Sequence, residues 1–299
     1  LVVVLMLLSW LKISSEGFLG WVDGSMVWEN QGIQRLHGSS SNYEHPNSFS
    51  GFAVGCLAFC FYMFPVFRQK EIKLLIATIA IFALVIIVFA GSRTGYLATI
   101  LLAIVIALRA KLPVSKILLA MFLSAVILMI TVPQQYTERF ESIFTGEEKE
   151  GNSSDTRVQI ILDAYEIFKE YPLGIGVGAF PAVRMEMFER FQDTHNLYLE
   201  VLTNIGFIGL LVFLAFVYQM LKVLRINVER LENCEVKGDD ELFIIALCNA
   251  TYAYICARLV LGAFGMDMYE IYWWLALGFC LGSARLIEEK ENKVIGSHK

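Results

Sequence analysis

The fold class predicted from this sequence is all-α: a polytopic transmembrane helix bundle with a large, partly helical external loop. Three observations predict it. Hydrophobic residues make up 57% of the 299 positions and charged residues 18%, with a mean hydropathy of +0.58; soluble domains run nearer half apolar and a quarter charged. Several apolar runs approach the roughly 20 residues that cross a bilayer as a helix. The cations between those runs alternate in density from loop to loop, as the positive-inside rule requires.

The chain opens inside an apolar run, Leu1 to about Leu11. It has neither the basic start nor the small-residue cleavage pattern of a signal peptide. Earlier helices are expected in front of it, so 1–299 reads as one integral membrane domain lacking its first helices. Further spans are predicted at 51–67, 74–90, 95–108, 117–132, 197–221, 242–262 and 268–285. Segments 68–73, 109–116, 222–241 and 285–299 hold 14 cations in 49 residues; segments 13–50, 91–95, 133–194 and 263–267 hold 8 in 110. The first set is therefore expected in the cytoplasm and the second outside.

Five cysteines (Cys56, Cys60, Cys248, Cys256 and Cys280) lie in apolar runs, and Cys234 falls in a loop of the cytoplasmic set. With no CxxC pair, neither a disulfide framework nor a zinc knuckle is supported. A net charge of −5 without a basic block argues against nucleic acid as a partner.

The external loop 133–194 is too long to lack structure of its own. In "SDTRVQIILDAYEIFK", residues 154–169, Val158, Ile161, Leu162, Tyr165 and Phe168 recur at helical spacing and predict an amphipathic helix. It is expected to lie on the membrane or on the helix bundle, with Ser154 or Asp155 as N-cap. "YPLGIGVGAF" then ends it. Gly174, Gly176 and Gly178 do not make a dinucleotide fingerprint, which needs a strand before and a helix after; they read as a compact loop that lets a ligand approach the backbone.

One of four histidines, His195, stands at the lip of the span 197–221 in "DTHNLYLEVL". With Asp193 or Thr194 as N-cap, it would sit in the first helical turn, where the helix dipole disfavours a positive imidazole. A neutral imidazole is what a general base near pH 7 needs. The plainer reading is an interfacial histidine bonded to headgroups or a neighbouring loop. Arg93, in the turn "GSRTG", is a cation where the rule above predicts few; the alternative is snorkelling to the headgroups. Arg157 lies near the start of the amphipathic helix, where a cation is unfavourable, with a salt bridge to Asp155 or Glu166 as the alternative. Arg258, inside an apolar run, is a functional candidate by default or reaches out to Asp267 or Glu270. His37 and His45 lack acidic or thiol companions at ligand spacing, and no DxD clamp occurs. Guanidinium groups match phosphate oxygens bidentately and keep their charge. Two or three of them would hold a lipid-linked diphosphate with no metal, beside a hydroxyl activated by His195.

These motifs resemble the O-antigen ligase and polysaccharide polymerase family. "DTRVQIILDAYEIFKEYPLGIGVGAF" followed by "DTHNLYLEVLTNIGFIGLL" is similar to its Arg, Pro-Leu-Gly-x-Gly-x-Gly and His-Asn-x-Tyr-Leu signature. "GSRTGYLA" resembles its Arg-bearing turn, and "RLHGSSSNYEHPNSFSGFA" its earlier Arg and Pro-Asn element. The resemblance covers nearly the whole chain. It implies a GT-C-like fold in the bacterial inner membrane with its catalytic face external, in the periplasm. It implies transfer of a glycan from undecaprenyl diphosphate to a glycan or lipid acceptor, with no cofactor and no metal. Carried over by position, His195 is catalytic, Arg93, Arg157 and Arg35 bind the diphosphate, and Asn196, Gly174, Gly176, Gly178 and Asn47 support them. His45 stands where Asp or Asn more often precedes Pro-Asn, and Ile161 where an aromatic is common.

The competing reading is a transporter or permease of a small anion such as bicarbonate. It would want paired ionisable residues at mid-membrane and broken helices in matched halves; the predicted spans carry almost no such charge, and no internal repeat is evident.

Overall fold

The computed structural model describes residues 2–297 apart from 31, 41, 111–112, 114, 116–132, 146–152, 234–237 and 267. The predicted span 117–132 lies outside the described residues. In chain order the elements are α1 (Val2–Val22), β1 (Val27–Asn30), β2 (Ile33–Leu36), α2 (Pro46–Met63), α3 (Lys70–Phe89), α4 (Arg93–Arg109), α5 (Gln134–Thr145), α6 (Ser153–Glu170), α7 (Phe180–Phe188), α8 (Leu197–Glu232), α9 (Asp239–Gly262) and α10 (Ile271–Ser297). Among the described residues, α1, α3, α8 and α9 are long and apolar enough to cross a membrane. The all-α polytopic expectation holds, with one antiparallel two-stranded hairpin, β1–β2, added to it.

The bundle is built around α2 and α9. The most apolar window of α9 is 67% buried, against 28% to 33% in the other three spanning helices. Its moderate hydropathy reflects the polar groups it carries inside, Asn249, Thr251 and Arg258. Thr251 satisfies its hydroxyl by donating back to the Leu247 carbonyl, the usual solution for a threonine inside a helix. Helix α2 faces α9 with Gly51 and Gly55; a Cβ at Gly55 would come within 2.8 Å of the Tyr254 ring. Small residues at such a seam let helix backbones approach closely. Trp10 and Tyr254 both pack edge-on against Phe59 of α2, which ties α1 and α9 to one core.

Loops of the two cation classes gather at opposite ends. At one end Arg68 pairs with Asp239 at 2.6 Å and Lys290 with Glu241 at 2.5 Å. At the other, the Tyr136 hydroxyl donates to the Gln34 carbonyl at 2.7 Å, and Asn196 Nδ2 donates to the Ala263 carbonyl at 2.9 Å.

Three boundaries differ from the sequence reading. The opening helix runs to Val22 rather than Leu11, because Phe18, Trp21 and their neighbours continue the apolar face and stack on Phe82 and Phe89 of α3. Residues 27–36 form a hairpin where only loop was expected, reversing at Gly32 with φ 72°. Helices α8 and α10 extend well beyond their apolar runs, since polar residues continue a helix as readily as apolar ones once it is started.

Candidate active site

The lip of α8 is built by Asn196. Its side-chain oxygen accepts from the backbone N–H of Tyr198 (2.9 Å) and Leu199 (3.1 Å), and its amide donates to Ala263. Asn196 is therefore the N-cap, not Asp193 or Thr194, because only its oxygen meets the second and third helical N–H groups. His195 consequently stands just before the helix rather than in its first turn, with φ 46°, a left-handed conformation uncommon outside glycine, asparagine, aspartate and histidine. Thr194 behind it is buried, and its N–H is held by the Asp193 carboxylate at 2.7 Å.

The imidazole is still biased toward its neutral form, but by a different cause. Burial lowers the His195 pKa below the ordinary 6.5; Asp193 opposes this, and the Arg157 and Arg184 guanidiniums reinforce it. A cation destabilises another cation beside it. His45, the N-cap of α2, is pushed down to about 4 by burial, then by Arg35 and by His195. Both histidines keep exposed surface, so protein crowds them without sealing them from solvent.

Four of the predicted residues converge here through direct bonds or field. The Arg157 guanidinium lies 5.2 Å from the centroid of the Phe264 ring, while Glu166, one of its expected partners, is held by Lys169 at 2.9 Å. Arg35 is 1% exposed; its Nε donates to the Ala90 carbonyl at 2.8 Å and its Nη2 to Asn47 Oδ1 at 2.7 Å. The Asn47 N–H in turn donates to His45 Nδ1 at 3.1 Å. Arg93 opens α4 three residues after Ala90, half-buried, behind Ser92, whose hydroxyl caps the helix through Gly95 N–H at 3.1 Å. Arg35 thus braces the turn that carries Arg93. Arg258 stacks on Tyr272, 3.5 Å from its ring centroid.

The glycine loop approaches a protein backbone. Helix α8 is broken at Gly206 (φ 70°, ψ −173°), and residues 172–176 are stitched into the break. Ile175 N–H donates to Thr203 O (2.9 Å), Gly176 N–H to Asn204 O (3.0 Å) and Phe207 N–H to Pro172 O (3.1 Å). A Cβ on Gly174 would lie 2.5 Å from Asn204 O, and one on Gly206 2.5 Å from Pro172 O. Gly176 and Gly178 also have positive φ, but the space where a Cβ would go is open.

Sequence reasoning passed over the cluster that holds this loop together. Asp163 of α6, 3% exposed at its side chain, pairs with Arg184 Nε of α7 at 2.8 Å and with Arg190 at 3.0 Å, and accepts from Gln159 at 2.8 Å. Burial alone would raise the Asp163 pKa, but the bonds from Gln159, Arg184 and Arg190 outweigh it and hold it below the ordinary value. Arg184 also donates to the Gln192 carbonyl, three residues before His195. The signal for this in the sequence is spacing: Asp163 falls with Ile160, Ala164 and Ile167 on one helical face.

Residues 78–214 match the family model described as O-antigen ligase. The chain is thus similar to the O-antigen ligase family over this stretch. The matched stretch carries Arg93, Arg157, the three glycines, His195 and Asn196; Arg35 and Asn47 precede it. No curated protein sequence matches the chain. Four helices among the described residues, long and apolar enough to cross a membrane, together with the match to the O-antigen ligase family model, agree with a multi-pass membrane protein.

Proposed function

We propose that this protein is a member of the O-antigen ligase family and transfers a glycan from a polyprenyl-diphosphate carrier to an acceptor hydroxyl on the external face of the bacterial inner membrane, as a polysaccharide polymerase or a ligase. The observation that carries the proposal is a histidine set by the Asn196 cap at the mouth of a spanning helix, its pKa lowered by burial and, more weakly, by Arg157 and Arg184. In the step, His195 takes the proton of the acceptor hydroxyl while that oxygen bonds to the anomeric carbon. The bond from that carbon to the diphosphate oxygen breaks, and the polyprenyl diphosphate leaves with the electron pair. Arg157 and Arg93 offset the charge on the leaving group, fixed guanidiniums being suited to phosphate oxygens. Arg35 supports Arg93 through Ala90 and positions Asn47 and His45.

The test is complementation of a strain lacking the gene by the complete gene, wild type against His195→Ala at matched membrane levels, with surface glycans resolved by length. Loss of the ladder with single units left on the carrier identifies a polymerase. Long chains that no longer reach the core lipid identify a ligase. Identical glycans from both proteins overturn the role given to His195.

A further inference from the structure

We infer that the outer face of α6, with the tip of the glycine loop, is a membrane-surface contact that beds this part of the protein in the headgroup and acyl boundary of the bilayer. The inference goes beyond the transfer reaction and does not depend on it. Helix α6 has three faces. Ile160, Ala164 and Ile167 pack inward against Phe180. Of the stripe that its periodicity singled out, Val158, Ile161, Leu162 and Tyr165 point the other way and are 49% to 57% exposed, while Phe168 is half-buried. The third face is polar and wet, with Glu166 and Glu170 both exposed. The hydrophobic spacing is thus that of two apolar faces, not one, and packing uses only the first.

A helix with protein on one side, water on the second and a bare apolar stripe on the third fits an oil–water boundary, where such helices bury their apolar face to a depth of about 5–10 Å. Continuity identifies bilayer as the occupant. The Phe207 N–H bond to the Pro172 carbonyl sets Leu173, 77% exposed, beside the exposed Phe207 and Ile208 of α8. From there the exposed apolar surface runs on along that spanning helix through Leu211 and Val212. The stripe on α6 therefore belongs to an element whose end is stitched to the first lipid-facing turn of α8. Lys169, above the Tyr165 ring and paired with Glu166, sits at the edge of the stripe, where a long cationic side chain covers apolar surface with its stem and keeps its charge in water.

The experiment places a diazirine-bearing amino acid, one position at a time, at Val158, Leu162 and Tyr165, with Glu166 and Glu170 as water-side controls and Leu211 as the lipid-side control. The full chain is reconstituted in vesicles of phosphatidylethanolamine and phosphatidylglycerol, irradiated, and its adducts weighed. Phospholipid adducts at 158, 162 and 165 that approach the Leu211 yield and exceed the 166 and 170 yields by on the order of tenfold are expected. Protein–protein adducts at the stripe would mean that a second copy covers it, and adduct yields no higher than the controls would mean that water does; either overturns the inference. A lipid-soluble carbene reagent applied to the wild-type chain reads the same face without substitution, and absence of label from 158–165 alongside labelled 207–214 overturns it equally.

Discussion

Replacing Asp163 with alanine removes an anion that joins α6 to α7 and leaves Arg184, 2% exposed at its side chain, buried without that counter-charge. Breaking a buried pair from one side costs about 3–5 kcal/mol, because the remaining charge stays desolvated. The bond to Arg190 is different: that side chain is 46% exposed, and pairs of this kind contribute about 0–1 kcal/mol. Local opening is read by amide hydrogen exchange, on the full chain in lipid nanodiscs. At about 1.4 kcal/mol per factor of ten, Asp163→Ala should speed exchange in α6 and α7 by two powers of ten or more, and Arg190→Ala by less than one. Exchange in α9 should not move. The double variant Asp163→Leu with Arg184→Met should recover most of the protection, since an apolar pair avoids the desolvation cost. The pH dependence has a definite sign. The Asp163 pKa is lowered in the fold, so its contribution is full above the ordinary carboxylate value and is lost as pH falls through the lowered one. Equal effects from Asp163→Ala and Arg190→Ala, or a double variant as open as Asp163→Ala, would refute the assignment of the stability to the buried pair.

Two other expectations follow from the site and its loop. If neutral His195 is the base, its lowered pKa keeps it competent under mild acid, and the acid limb of transfer activity should have its midpoint below 6.5; a midpoint above 6.5 in a pH series on reconstituted protein contradicts the electrostatics described. Among the glycines, Gly206→Ala and Gly174→Ala force a Cβ into backbone atoms and should abolish the folded yield in detergent, whereas Gly178→Ala, in open space at φ 70°, should cost only the left-handed backbone strain of about 1–2 kcal/mol. Similar thermal midpoints for all three would remove the stitched break as the reason for the glycines.

Local signals carried far in this chain. Apolar run length located α1 to α4 and α8 to α10, and cation density separated the loops at the two ends of the bundle, because burial in lipid leaves few alternatives to a helix; the short helices α5 and α7, which carry no such run, were not expected. The amphipathic helix, expected over 154–169, spans Ser153–Glu170. What the sequence hid is what depends on partners distant along the chain. The identity of the cap at His195–Asn196 turns on which side chain meets two N–H groups. The orientation of α6 depends on Phe180, and the buried role of Arg184 on an anion 21 residues earlier. Periodicity shows that α6 has an apolar stripe, but not which of its two faces the protein keeps. Glycine spacing shows a backbone in close approach; only the break at Gly206 shows to what.

The stitching of residues 172–176 into that break also sets an order in time. The loop is synthesised before Thr203, Asn204 and Phe207 exist to bond it. When those residues emerge, an unbroken helix would satisfy them alone, whereas a broken one in hydrocarbon would leave two carbonyls and an N–H without partners, at a cost of several kcal/mol. The break can therefore form only as the loop docks. The turns of α8 between the break and His195 are therefore fixed in direction only once the loop has docked.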